Sequence, residues 1–377
     1  MRGSLPIRQT VLFDDALARL PRVLPTIGQQ GDITYIGVAA RSVLNRPEQT
    51  GMPYWSINPY VGCAFGCAYC YARYAHRYMS ERTADGAEPA AVAVAARDDV
   101  PAMPPWLAFE RRIFVKRNVP DVVRTALRRG SARHAELARG ESLVIGTATD
   151  PYQPAERHFR LTRSVLEALA EHSGLRVVII TKSALITRDI DVLTRLARHS
   201  RVTVHLSLIT LDRDLARRLE PRAPTPDARL RALARLAAGG IDVGINIMPV
   251  LPGITDPPAG LRALIQRVAA TGATHVNAGA LRLQSEARKR YLPFIEAEFP
   301  HLAARYRATY AGSSDAGSRY REGLQRVVRR LCAVYGIRCG RTEEDRARAP
   351  APDDGQLVLP FEMPSGTPFE TPLARGA

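Results

Sequence analysis

From Ser56 onward, short apolar runs alternate with longer stretches in which Leu, Val and Ala recur every three or four residues. The runs Ser56–Val61, Leu143–Thr149, Arg176–Thr181, Val202–Leu208, Ile241–Met248 and His275–Ala280 have the length and β-branched content of strands. Between them, His158–His172, Arg188–Arg198, Pro226–Ala238 and Pro258–Ala270 carry helical periodicity. Strand and helix in alternation imply a parallel sheet, because right-handed crossovers lay each helix on the sheet's outer face. The expectation is an α/β fold, a partial (βα)6 TIM-like barrel. An open doubly wound sheet satisfies the same alternation.

Around this core the chain divides by composition. Residues 1–55 read as an irregular lead-in with a short amphipathic stretch around Asp14 to Leu24. Residues 56–285 form the expected barrel, and 286–341 a helical C-terminal extension running through Lys289–Glu298 and Gly323–Val334. Residues 342–377 are a Pro-, Asp- and Arg-rich tail expected to be disordered. Ala84 to Pro105 is a long Ala-, Pro- and Asp-rich connection, either a lid or an insertion.

Three of the five cysteines, Cys63, Cys67 and Cys70, crowd into one stretch, NPYVGCAFGCAYCYAR, just after the first predicted strand. Parallel barrels keep their chemistry in the loops after the strands' C-terminal ends. Thiolates at CxxxCxxC spacing can each ligate a different iron of one 4Fe-4S cubane, leaving the fourth iron open. Gly62 and Gly66 let the backbone wrap closely, and Arg73 can offset part of the cluster's charge. A structural zinc is the alternative, but closed zinc sites take four ligands, and only His76 lies near enough in sequence to be the fourth. Cys332 and Cys339 are packed helix residues, free thiols or ligands to a second metal.

This cysteine loop, with an aromatic residue before its last cysteine, resembles the radical S-adenosylmethionine (SAM) superfamily. The surrounding residues resemble its spore photoproduct lyase-like, or DNA repair photolyase-like, branch. The resemblance runs from about Arg41 to Leu283, through GTATDPYQPAE, ITKS, HLSLIT, LEPRAPTPDARL and IMPVLPGITD. It implies two cofactors, a 4Fe-4S cluster on Cys63, Cys67 and Cys70 and S-adenosyl-L-methionine on the open iron. It also implies an enzyme in which an electron from the cluster cleaves SAM to a 5′-deoxyadenosyl radical that abstracts hydrogen from substrate, the protein positioning the reactants. A flavodoxin or ferredoxin is the implied reductant.

By the same resemblance, Tyr69 sets its backbone against the adenine, Thr149 lies near SAM, Lys182 pairs with the SAM carboxylate, and Ser207 bonds its ribose or carboxylate. Asn246 and Pro249 line the adenine pocket. Asp150, Gln153 and Glu156 are rim candidates, although Asp150 before Pro151 suits a turn and Glu156 a helix start. Lys182 and Ser207 also suit exposed strand ends, and Tyr69 ordinary packing. The lyases carry a hydrogen-donating cysteine where this sequence has Thr147, whose hydroxyl holds its hydrogen too strongly for that role. Tyr69 and Tyr71 flank Cys70 and can pass a hydrogen atom, although packing explains them equally.

The formal net charge of +16 favours polyanion partners such as DNA if the excess gathers on one face; arginines scattered over solvated helices are the alternative. In the tail, Gln356-Leu357-Val358-Leu359-Pro360-Phe361 resembles the peptide by which bacterial repair proteins bind the sliding clamp; folding back onto the barrel is the alternative. The N-terminus lacks an apolar h-region and no uncharged run approaches membrane-spanning length, so a cytoplasmic protein without membrane contact is expected. Beside a reaction on nucleic acid, radical modification of a protein or peptide and a non-catalytic zinc- and nucleic-acid-binding role stay open.

Overall fold

A computed structural model of the chain describes residues 26–75, 103–128 and 130–340. The stretch around Asp14, His76, most of the connection from Ala84 and the tail with Gln356–Phe361 lie outside the described residues. In chain order the strands are β1 (Thr26–Gln30), β2 (Ile33–Val38), β3 (Leu44–Asn45), β4 (Trp55–Ile57), β5 (Tyr60–Val61) and β6 (Arg112–Lys116). They continue with β7 (Ser142–Ile145), β8 (Arg176–Thr181), β9 (Arg201–Ser207), β10 (Asp242–Val250), β11 (His275–Ala280) and β12 (Arg338–Cys339).

The main sheet has the order β3-β4-β7-β8-β9-β10-β11-β12, parallel throughout except for β3 against β4. Among the described residues no pairing joins β3 to β12, so the sheet is open. Strand follows strand in sequence order, as right-handed crossovers of one sense require. Helices Leu161–Leu169, Ile190–Ala197, Pro226–Ala238 and Pro258–Ala269 cover one face. Their Leu166, Leu193, Leu233 and Leu264 join Ile145, Ile179, Val204, Ile245 and Val276 in one core. Each such side chain contributes about 1.5–3 kcal/mol by leaving water, which fixes which face of every strand turns inward.

Two expected strands are shorter than their apolar runs. The first run splits because Asn58 turns to bond Thr147 and the amide of Ala148 (2.9 Å) and Pro59 has no amide hydrogen to pair. The remainder becomes β5, which crosses to a second sheet against β6. The second run stops at Ile145 because Gly146 adopts φ +99° beneath the carbonyl of Ile180, 2.4 Å from where a Cβ would stand.

The long helix expected over 158–172 is broken. Arg160 takes a left-handed φ of 51°, and the buried carboxylate of Glu156 accepts from the amides of Thr162 (2.9 Å) and Arg163 (3.2 Å), capping a new start. Arg188 belongs to a 3-10 turn, Ala184–Asp189, ahead of the next helix. The lead-in also holds more structure than its composition suggests: β1 and β2 form a hairpin across Gly31, and β2 pairs with β6 to make a four-stranded sheet, β1-β2-β6-β5. Ile33 and Tyr35 of β2 pack on Tyr60 and Ala64, so this sheet backs the cysteine loop.

After β11, helices Ser285–Glu298, Pro300–Thr309 and Ser318–Val334 follow. The last supports β12, which carries Cys339; Cys332 and Cys339 both pack into the main core at the sheet's edge. No helix among the described residues is long and apolar enough to cross a membrane.

Candidate functional site

The cysteine loop leaves β5 and is tied down residue by residue. The amide of Cys63 donates to the Phe109 carbonyl (2.8 Å), that of Ala68 to Leu219 (3.0 Å) and that of Cys70 to Cys67 (3.3 Å). Gly66 adopts φ +66°, a conformation open to glycine without strain. Cys63 and Cys67 are buried, Cys70 is half-buried, and all three are free thiols.

Burial, then Asp150 and Cys70, pushes the Cys63 thiol up to about 12. Burial also drives Cys67 well above its usual value against the pull of Lys182, with Cys70 and Cys63 adding to the rise. The thiols therefore lie within one another's field. Among the described residues no three His, Cys, Asp or Glu side chains form a ready-made site for a single metal ion, and His76 lies outside those residues. Three free thiols that act on one another, with a lysine facing two of them, suit a cluster that spreads its irons among them.

Strand register builds the facing surface. Thr181 pairs with Leu206, Ser207 with Asn246, and Asn246 with Asn277, so Lys182, Ser207, Asn246 and Asn277 fall in one transverse row. Alternation places this row opposite the helix-covered face. Asn277 donates to Asn246 at 3.1 Å. The row one pleat deeper is Ile180, His205, Gly244 and His275, in which the two imidazoles meet edge to face at 4.8 Å.

A buried charge group links loop and row. Tyr69 donates its hydroxyl to Glu220, whose other oxygen pairs with Arg229, and Lys182 Nζ lies 4.0 Å from Glu220 and 5.6 Å from the Tyr69 ring. Arg229 also donates to the Ser207 carbonyl at 3.0 Å. Burial disfavours the Glu220 charge, but Arg229 and Lys182 outweigh it and hold the carboxyl below the usual range. Burial likewise opposes the Lys182 charge, and Cys67 and Glu220 overcome it, raising the ammonium above its ordinary value.

Several expected rim residues serve the scaffold instead. Gln153, with no exposure, accepts from Ala64 N (2.9 Å) and donates to Gly62 O (3.0 Å) and Thr149 Oγ1 (2.9 Å). Thr149 gives its own hydroxyl to Gly62 O at 2.6 Å, so it holds the cysteine loop. Asp150 accepts from Thr181 (2.6 Å) and the Lys182 amide (2.7 Å), fixing the end of β8. Glu156 lies in the interior, bonded to Tyr60 at 2.6 Å and Arg188 at 2.8 Å. Arg73, fully buried, is neutralised by Glu110 at 2.6 Å and bonds Cys67 O at 2.9 Å.

The Thr147 hydroxyl bonds Asn58 at 3.0 Å, while its carbonyl accepts from Tyr71, which is 44% exposed. Pro249 follows Met248 in β10, beyond Asn246. Sequence reasoning missed Asn277, Glu220 and Arg229. Asn277 was hidden because only register aligns it with Asn246; Glu220 and Arg229 lie within LEPRAPTPDARL, but local pattern does not reveal the fold that pairs them.

The description Radical SAM superfamily matches residues 57–261. An uncharacterized protein of Mycobacterium tuberculosis is 33% identical over 363 residues, 95% of this chain and 97% of that protein. One of Methanocaldococcus jannaschii is 26% identical over 224 residues, 59% of this chain and 70% of its own. Among solved structures, a cysteine-to-serine mutant of spore photoproduct lyase superposes with TM-score 0.55 at 16% identity, covering 81% of each chain. The same lyase with bound AdoMet and dinucleoside spore photoproduct gives 0.52 at 14% identity, again over 81% of each chain. At such identities the likeness is one of fold, whereas the family match spans more than half of the sequence and includes the cysteine loop: the chain belongs to the radical SAM superfamily.

Proposed function

We propose that this protein is a lyase-like radical SAM enzyme acting on nucleic acid, its parallel sheet serving as a partial (βα)6 barrel. The observation that carries the reading is the cysteine loop of three free thiols, two buried and one half-buried, with Lys182 facing Cys67 and Cys70 at the edge of the Lys182–Ser207–Asn246–Asn277 row. When bound, the 4Fe-4S cluster and SAM supply one-electron cleavage and a carbon radical able to take hydrogen from substrate.

The chain's own residues bind and orient. Cys63, Cys67 and Cys70 hold the cluster. Lys182, kept charged by Glu220, offers a cation to the SAM carboxylate, and Ser207, Asn246 and Asn277 offer hydrogen-bonding groups beside it. Tyr69, anchored through its hydroxyl, presents the loop backbone to adenine. Thr149 and Gln153 hold the loop from below. The basic balance of the chain supports a nucleic-acid substrate. Thr147 argues for a reaction other than spore photoproduct repair, because no thiol stands where the lyases place their hydrogen donor. Tyr71, bonded to Thr147 and exposed, and Tyr69 on the other side of Cys70 are the two proposed groups able to return a hydrogen atom. Gln356–Phe361 is proposed as a sliding-clamp peptide, tested by mixing that peptide with the clamp.

Anaerobic reconstitution tests the assignment. Iron and sulfide should bind with a broad absorbance, and dithionite should drive SAM cleavage that stops in the Cys63→Ala, Cys67→Ala, Cys70→Ala variant. Colourless stoichiometric zinc, or unchanged behaviour in that variant, would overturn it. Deuterium transfer from labelled DNA into 5′-deoxyadenosine separates a nucleic-acid substrate from a peptide.

A further inference from the structure

Cys332 and Cys339, which the candidate site does not use, are brought together where the chain reverses at the end of helix Ser318–Val334. Gly336 takes a left-handed φ of 64°, the amide of Ile337 reaches back to Cys332 O (3.0 Å), and that of Gly336 to Ala333 O (3.3 Å). These two bonds make a helix stop built on a glycine, which folds the following residues back under the last turn. They continue as β12, fixed by Arg338 N to Thr274 O (3.3 Å) and Gly340 N to Val276 O (2.8 Å), with Cys339 in register with Val276.

Both backbones are thus set before the side chains are considered. Val276 belongs to the helix-covered face of the sheet, and a residue in register with it shares that face. Cys332 lies on the buried side of the helix with Leu324, Val328 and Leu331. The two thiols meet in a hydrogen bond between helix and sheet, and both are reduced. Cys332 is 1% exposed and Cys339 half-buried. The bond to Cys339, then burial and the Cys339 charge, pushes the Cys332 thiol well above its usual value. Cys332 therefore keeps its proton and donates it, and Cys339, the less buried of the two, carries the thiolate that reacts.

We propose that Cys332 and Cys339 form a reversible dithiol–disulfide site that closes by exchange with a low-molecular-weight disulfide and, when closed, ties the end of the helix to the edge of the sheet. The Cys339 thiolate attacks one sulfur of the small disulfide and breaks its S–S bond; a mixed disulfide forms, and the leaving thiolate takes up the proton Cys339 gave. Cys332 then loses its proton and attacks the Cys339 sulfur, releasing the second small thiol. The protein gives up two electrons and two protons, and the small disulfide becomes two thiols. The loop enclosed is short and its path is already fixed by the helix stop, so closure restricts the unfolded chain only modestly, as suits a bond that opens and closes with the surrounding redox poise. Strand β12 has two residues and, among the described residues, pairs with β11 alone, so the bond has an edge to stiffen. This inference stands apart from the radical SAM reading.

The test equilibrates full-length protein with mixtures of reduced and oxidised glutathione, followed by acid quenching, alkylation and tryptic digestion. Cleavage after Arg330 and Arg338 separates the two cysteines, so the closed form is read as peptide 331–338 joined to the peptide that begins at Cys339. The joined species should rise as the mixture becomes more oxidising, disappear with dithiothreitol, and be favoured in the folded chain at least about tenfold over the chain in denaturant. Cys332→Ser should trap glutathione on Cys339, whereas Cys339→Ser should leave Cys332 unmodified in the folded chain. Amide exchange in β12 should slow on closure. The peptides assign every bond, so the state of Cys63, Cys67 and Cys70 does not enter the result. Separate alkylation of both cysteines at every ratio, equal closure in denaturant, trapping on Cys332 in place of Cys339, or unchanged exchange in β12 would each overturn the proposal.

Discussion

Gln153 shows how a single amide can decide whether a cysteine loop is ready to receive iron. It satisfies Ala64 N, Gly62 O and Thr149 Oγ1 at once, with no exposure to water. In Gln153→Leu, Gly62 O keeps the Thr149 hydroxyl, but the Ala64 amide is buried without a partner, at about 1–3 kcal/mol. Iron bound per chain after reconstitution should therefore fall while far-UV circular dichroism is preserved. Wild-type iron content would mean that the loop needs no such support. Glu220 makes a second case, because Arg229 and Lys182 hold its folded-state carboxyl below the usual value against the cost of burial. A depressed carboxyl stabilises the fold fully above the ordinary glutamate range and loses that contribution as pH falls through the depressed value. Thermal midpoints of wild type should drop across that acidic window. Glu220→Gln should be less stable at neutral pH by about 3 kcal/mol, because Arg229 is left buried and uncompensated, and should show a smaller acid loss. Parallel pH profiles for the two proteins would refute this.

At the scale of elements, β8, β11 and the helix Pro226–Ala238 have the bounds that their apolar patterns predict, because burial on one face dominates along them. The failures sit where side chains or backbone carbonyls from distant residues intervene: Gly146 under Ile180 O, Asn58 drawn to Thr147, and Glu156 capping across Arg160. The same distinction divides the site. Cysteine spacing is local and was readable; the alignment of Asn277 with Asn246 and the pairing of Glu220 with Arg229 depend on register and a folded-back loop. Gly244 carries this lesson into a prediction. It lies between His205 and His275 in register, and a Cβ there would stand 2.2 Å from His275 Nε2. Gly244→Ala should therefore destabilise the sheet by about 1–3 kcal/mol through overpacking. In a His275→Ala background the same substitution should cost much less, so a double-mutant cycle by denaturant unfolding should show coupling. Additive costs would mean that the clash is relieved elsewhere.

For the molecule as a whole, the question is where the +16 charge resides. Arg73, Arg163, Arg188 and Arg229 are committed to internal carboxylates, so they neutralise the interior rather than attract a partner. Helix Ser318–Val334 is different: Arg319, Arg321, Arg326, Arg329 and Arg330 are all exposed on it, against Glu322 as its one acidic residue. Its apolar side, with Leu324, Val328 and Leu331, is buried in the core, so the arginines are held outward as a fixed row and do not float on a tail. A rigid row of guanidiniums meets phosphates with little ordering cost and releases their counterions. Affinity for a duplex oligonucleotide should thus fall linearly on a log–log plot against salt. Arg326→Glu with Arg330→Glu should weaken binding and reduce the slope by about one unit or more per lost phosphate contact, across unrelated sequences alike. A slope unchanged by the double variant would return these arginines to the role of solubilising charge.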